Sequence, residues 1–183
     1  SEMTARSHHA AARLTNGDVL LAGGVDATGA PVFLGDCARF LLGTPTPITS
    51  GVAEGRQRYD YNWAPAASLA FGEVSAEHRL TPLHGTLADS ALLTGGRDSA
   101  STARTLHTAQ LYTAGTDTWA DVPNGTLDSR YGHVAIRVED SAGDDVVYLV
   151  GGLVDAVTAR ATVQRLRSTA GGTIDAVLTE TEG

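Results

Sequence analysis

A chain of 183 residues, 42% of them hydrophobic, is long enough for one core-bearing unit, and its formal net charge of -8 argues against a nucleic-acid partner or an anionic membrane surface. All thirteen basic residues are Arg, which excludes lysine Schiff-base and lysine general-base mechanisms and leads us to expect a GC-rich bacterial gene. The lone Cys37 permits no intrachain disulfide, and no apolar stretch approaches the ~18 residues of a membrane span.

The first predicted strand is Ala10 to Leu14, entered through Arg6-Ser7-His8-His9. Asn16-Gly17 predicts a two-residue hairpin of type I′, whose central residues need positive φ. The return strand, Asp18 to Ala22, ends in Gly23-Gly24. A polar loop from Val25 to Pro31 leads to a third strand over about Gly35 to Leu42. A fourth is expected near Thr46 to Thr49, as an edge strand, because Pro45 and Pro47 bound it.

The same grammar returns twice. In the second unit the expected strands are His84 to Leu87, Ser90 to Thr94 before Gly95-Gly96, His107 to Thr113, and Asp117 to Val122. In the third they run from His133 through Val138, over Val146 to Val150 before Gly151-Gly152, from about Ala161 to Arg167, and over Thr173 to Leu178. Only Ala64 to Ala76 shows a faint helical period, so the chain reads as all-β, in four-stranded antiparallel units.

These residues resemble the kelch repeat. Arg6-x-x-His9 and Arg130-x-x-His133 open a first strand, and the glycine pairs close a second. Phe40 and Tyr112 each fall sixteen residues after a glycine pair, and Trp119 follows seven residues after Tyr112. Only the second unit carries the whole set. The first offers Ile48 near the Trp position, and the third has Leu166 and Ile174 in place of both aromatics. The resemblance implies a β-propeller, with His9, His84 and His133 as equivalent residues of successive blades. It also suggests an extracellular, periplasmic or cell-surface protein.

The expected organisation is blade 1 over residues 1–49, an insertion over 50–83, blade 2 over 84–123 and blade 3 over 124–183. The glycine pairs are 72 and 56 residues apart, against a kelch period of ~50, and the excess falls in that insertion. Propellers have ~4–8 blades. Three therefore point to part of a ring, completed by further chain (the reading favoured here) or by further copies.

Insertions in repeat folds gather on the binding face. The candidate anchors are Arg56, Arg58, Tyr59, Tyr61 and Trp63 of the insertion, with Arg97 and Arg104 of a neighbouring loop, since Arg, Tyr and Trp dominate interface hot spots. The competing reading is that these aromatics pack on outer strands. The three His are expected to hydrogen-bond neighbouring strands, because equivalent blade positions stand apart around an axis. The acidic stretch Glu139 to Asp145 carries possible Ca²⁺ ligands but lacks the regular loop signature, so a solvated hairpin is expected.

No catalytic residue, metal or cofactor is assigned. A protein partner is expected, with the rest of the ring, further copies of the chain, or a glycan as alternatives. Some kelch propellers are enzymes, of galactose oxidase type (copper held by Tyr and His, with a Cys–Tyr crosslink) or of sugar mutarotase type. Cys37 and the tyrosines supply residue types but no matching spacing.

Overall fold

The computed structural model describes residues 4–26, 32–47, 57–69, 76–98, 109–122, 127–169 and 172–181. The chain enters through β1 (Arg6–Ser7), β2 (Ala10–Arg13), β3 (Val19–Ala22), β4 (Val25–Asp26), β5 (Val32–Phe33), β6 (Cys37–Pro47) and β7 (Gln57–Ala66). It continues through β8 (Arg79–Pro82), β9 (Ser90–Thr94), β10 (Ala109–Thr113) and β11 (Thr118–Asp121). It ends with β12 (Val134–Glu139), β13 (Asp145–Val150), β14 (Thr162–Ser168) and β15 (Ile174–Thr181). The described residues contain no α-helix, only a 3-10 turn at Gly85–Leu87.

All strand pairing among the described residues is antiparallel. Three four-stranded sheets have the orders β2-β3-β6-β7, β8-β9-β10-β11 and β12-β13-β14-β15, and a small sheet β1-β4-β5 flanks the first. The sheets stack in chain order, and β8 lies against both β2 and β12.

Strand alternation decides what each sheet buries. Ala12, Leu20, Ala22 and Cys37 turn one face of the first sheet toward Leu80, Ala91, Leu93 and Tyr112 of the second. The other face of the second sheet presents Leu92 and Ala109 to Val147, Leu149 and Leu166 of the third. Thus Leu92 and Leu93, adjacent in sequence, belong to different cores, as the two-residue period of a strand requires.

Three expectations are corrected. The first sheet's fourth strand is β7, not 46–49: β6 runs on to Pro47, and residues 57–66, expected inside an insertion, pair with it from Cys37↔Ala66 to Pro47↔Gln57. Pro45 and Pro47 are tolerated because β3 pairs with β6 only as far as Phe40, so beyond that point one side of β6 is an open edge. The second sheet's first strand is β8, and the stretch expected there, His84 to Leu87, instead makes the 3-10 turn Gly85–Leu87 with His84 as its N-cap. Finally, the Asn16-Gly17 hairpin is not type I′. Only Gly17 has positive φ (95°), the Gly17 amide donates to Leu14 O at 3.0 Å, and Leu14 N donates to Asp18 O at 2.8 Å. This is a three-residue loop with glycine in the bulge position.

Candidate functional site

The segment after each glycine pair is tied back to the segment that enters the same sheet. Ser7 pairs with Val25, Ala76 with Arg97, and Tyr131 with Leu153. Ala76 and Arg97 exchange bonds of 3.0 and 2.9 Å, and so do Tyr131 and Leu153. These bridges gather the strand-two-to-three connections and the sheet-entry segments on one face.

Successive sheets are tied by buried histidines at the start of each first strand. His78 Nε2 lies 3.0 Å from Ala22 O, and His133 Nε2 lies 2.9 Å from Thr94 Oγ1. Ala22 and Thr94 both immediately precede a glycine pair. Each imidazole therefore reaches into the preceding sheet at the same place. The repeating histidines are His9, His78 and His133. His84 is exposed in the 3-10 turn and is not one of them.

Burial first, then the neighbouring Arg79 and His9, outweighs the Ala22 carbonyl and lowers the His78 pKa to about 4. Burial, with Arg130, Arg79 and His78 nearby, lowers that of His133 to about 3. Both rings are neutral struts at ordinary pH.

A connected series of side chains lies on the bridged face. Arg97 donates through Nε to Glu77 Oε1 at 2.8 Å, with a second, shorter contact from Nη2, and its guanidinium lies 5.4 Å from the Tyr131 ring centroid. The Tyr131 hydroxyl donates to Asp155 O at 2.9 Å. The Asp155 carboxylate accepts from the amides of Val157 (2.9 Å) and Thr158 (2.7 Å) and from Thr158 Oγ1 (3.0 Å). These bonds hold its pKa below the usual carboxylate range, the Val157 amide contributing most. The result is a braced loop that projects Val157 with 88% of its surface exposed.

The candidate anchors are dispersed. Arg56 and Arg104 lie outside the described residues. Arg58, Tyr59 and Tyr61 are placed on β7 by their backbone, with Tyr59 opposite Pro45 and Tyr61 opposite Leu42. Trp63, 41% exposed, lies within β7 opposite Phe40, with ring centroids 4.8 Å apart at 53°. Tyr112 and Trp119 repeat that geometry at 5.1 Å and 52°. The first sheet thus has the aromatic pair that its sequence spacing hid, and Trp63 packs on an outer strand. Among the described members of the set, Arg97 joins the bridged face, already engaged with Glu77 and Tyr131.

Glu77, Tyr131 and Val157 were not anticipated. Tyr131 sits inside the Arg130-x-x-His133 phrase and Glu77 just before His78, so a finer alignment of the three entry segments would have found both. Nothing in the residue types marks Val157. Its exposure comes from the Asp155 loop.

Elsewhere, reactive groups are held by structural partners. Cys37 is buried between the first and second sheets, and that burial pushes its thiol up to about 12. The acidic hairpin is neutralised by arginines: Arg167 bridges Asp140 (2.5 Å) and Asp144 (3.0 Å), and Arg137 contacts Asp145 and Glu139. Among the described residues no cluster of His, Cys, Asp or Glu is arranged to hold a metal ion.

No family model and no curated protein matches the chain. Solved structures do. The structure of YjhT is similar over 97% of this chain and 52% of its own, with a TM-score of 0.60 at 13% identity. A chain in the cryo-EM structure of RAG in complex with one melted RSS and one unmelted RSS is similar over 97% of this chain and 51% of its own, with a TM-score of 0.65 at 15% identity. The chain therefore spans about half the length of both. At these identities the likeness concerns the fold alone.

Proposed function

We propose that the three four-stranded sheets are consecutive blades of a kelch-type β-propeller, about half a ring, serving as a non-enzymatic binding or scaffolding module for a protein partner. The propeller reading is supported by the regular stacking, by the histidine tie repeated from sheet to sheet, and by the half-length match to two larger structures. The binding reading is carried by Val157, an aliphatic side chain displayed at 88% exposure on a loop braced by Asp155 and tied to the Tyr131 hydroxyl. An apolar knob on a loop held by its own hydrogen bonds suits a protein surface, because little conformational entropy is lost when it is covered.

A sugar-stacking platform would need exposed aromatics on this face, whereas Trp63 leans on Phe40 along an outer strand. The catalytic alternatives draw little support from Cys37, whose thiol is held protonated by burial.

The test is selection of displayed random peptides on the immobilised chain, alongside a glycan array. The reading expects a peptide consensus whose binding is weakened tenfold or more by Val157→Asp, with no change in melting temperature. Binding of glycans alone, or peptide binding indifferent to Val157→Asp, would overturn it.

A further inference from the structure

An indole closes the outer seam between the first two sheets. Trp119 of β11 and Ala66 of β7 both pack on the core that these sheets share, and Trp119 Nε1 donates to Ala67 O at 2.9 Å. Asp117, in the turn before β11, accepts from Ala67 N at 3.1 Å and from the Tyr112 hydroxyl at 2.7 Å. Arg39 of β6 donates to Ala114 O at 3.2 Å. A ring, a carboxylate and a guanidinium thus stitch the outer strands of the first sheet to the outer turn of the second.

Between the second and third sheets the same seam is built from aliphatic groups. Leu166 stands opposite Val147, four residues before Gly151, just as Tyr112 stands opposite Ala91, four residues before Gly95. A phenol is therefore replaced by an isobutyl group. β15 opens on Ile174, whereas β11 carries Trp119 at its second position. On the receiving side the register gives Leu111 the place of Arg39, Ala120 that of Ala64 and Val122 that of Ala66. What this leaves is an apolar cleft of about 240 Å³. Leu111, Val122 and Ile174, each buried or half-buried, line its depth, and the turn at Gly172 walls one side. Ala120 and Asp121, both exposed, lie at its mouth.

We propose that this cleft binds a small aromatic amine, a fused two-ring body with an ammonium on a short tether. An apolar cavity of ~150 Å³ takes a single benzene ring, so this one has room for a second fused ring. The first joint shows which ring such a seam accepts, because Trp119 places an indole there. The ammonium follows from charge. Asp121 has no ion pair or side-chain hydrogen bond among the described residues, no basic side chain lines the cleft, and the chain carries a net -8. Strand alternation turns the Asp121 side chain away from the face of Ala120 and Val122, so its carboxylate flanks the cleft. A tethered cation can reach that rim while its ring is buried, and an anion on the same tether is repelled there. Apolar walls with one placed polar group are the usual make-up of a small-molecule site. The inference needs only the stacking of the second and third sheets, and rests neither on the half-ring reading nor on Val157.

Methyl-resolved NMR titration of the 183-residue chain with tryptamine tests this, with 3-indolepropionate, the same ring on an anionic tether, as the comparison. Tryptamine should shift the methyl resonances of Leu111, Val122 and Ile174 saturably, with half-saturation on the order of 1 mM or below for a ligand of this size. The propionate should bind at least about fivefold more weakly. Asp121→Asn leaves the apolar walls untouched and should bring the two ligands within about twofold of each other. Ala120→Phe sets a ring of the protein's own at the mouth and should abolish the shifts with circular dichroism unchanged. The Asp121→Asn comparison decides the matter by itself where Ala120→Phe disturbs folding. The inference is overturned by the lack of a saturable shift at the three methyls, by shifts centred on other methyls, or by equal affinity for the two ligands. A preference for tryptamine that survives Asp121→Asn overturns it as well.

Discussion

His133 Nε2 lies 2.9 Å from Thr94 Oγ1, and the imidazole is completely buried between the second and third sheets. Its Nδ1 has no partner among the described residues, so a second proton there would be buried and unpaired. His78 plays the same part between the first and second sheets, on Ala22 O.

From this follows a pH dependence of definite sign. Both folded-state pKa values, about 4 and about 3, lie below the ordinary imidazole value of 6.5, so the unfolded chain takes up protons that the folded chain refuses. Their contribution is present in full above pH ~6.5 and is lost as pH falls toward the folded values, at up to about 1.4 kcal/mol per pH unit for each ring. Urea unfolding between pH 7 and pH 5 should show this slope, before most carboxylates titrate. The double variant His78→Gln, His133→Gln should flatten it, and an unaltered slope would refute the strut assignment.

Arg130 is the largest fully buried side chain among the described residues. Its guanidinium donates to the carbonyls of Leu149 (3.3 Å), Gly151 (3.1 Å) and Thr162 (3.2 Å), to Thr162 Oγ1 (3.0 Å) and to Gln164 Oε1 (3.0 Å). Burial lowers its pKa, yet the fork stays charged because several acceptors share it. Arg130→Ala would strand these acceptors without water and should cost about 3–5 kcal/mol, and Arg130→Lys should rescue little, since one ammonium cannot span the set. Arg6 makes the equivalent bond to Gly23 O at 3.0 Å, but its carboxylate partner Asp36 is 48% exposed, so Arg6→Ala should cost distinctly less. Equal losses in thermal unfolding would contradict the ranking.

Two glycines with almost the same backbone should respond very differently to alanine. Gly95 and Gly132 have φ of 58° and 62°. A Cβ on Gly95 would run into the Arg130 carbonyl and stand 2.9 Å from His133 Cε1, whereas on Gly132 it would meet nothing within 4 Å. Gly132→Ala should cost only the left-handed strain, on the order of 1 kcal/mol. Gly95→Ala should cost several times more, because it forces the second and third sheets apart where Gly96 N donates to Arg130 O at 2.9 Å. Similar melting temperatures for the two variants would count against close approach as the reason for the glycine pairs.

How much of this was legible in the sequence turns on local against long-range signals. The second strands and their glycine pairs were plain, since an aliphatic run stopped by Gly-Gly is a local pattern. Trp63 was misassigned because it stands 23 residues after Phe40 where Trp119 stands seven after Tyr112; only pairing along β6 shows that the two are equivalent. His84 displaced His78 because both precede an apolar stretch, and the choice depended on which stretch pairs with β9. Arg97 of the bridged face stood among the candidate anchors, but the display of Val157 was not foreseen, because exposure comes from the Asp155 turn and leaves no periodic trace.

Cys37 offers a probe of the joint between the first two sheets. It lies opposite Ala22 and Ala66, on the face that packs against Leu80 and Leu93, and burial pushes its thiol up to about 12. Thiolate is the reactive form, so both access and ionisation oppose alkylation in the folded chain. Labelling by an aromatic disulfide at pH 8 should be negligible in the native state and complete in denaturant. Its native rate should follow opening of the joint. Substitutions that loosen the first two sheets, such as Leu93→Ala, should therefore accelerate it by more than tenfold, while an equally destabilising change between the second and third sheets, such as Leu166→Ala, should do so less if the sheets open separately. Rapid stoichiometric labelling of the native chain would show that Cys37 is not enclosed by that joint.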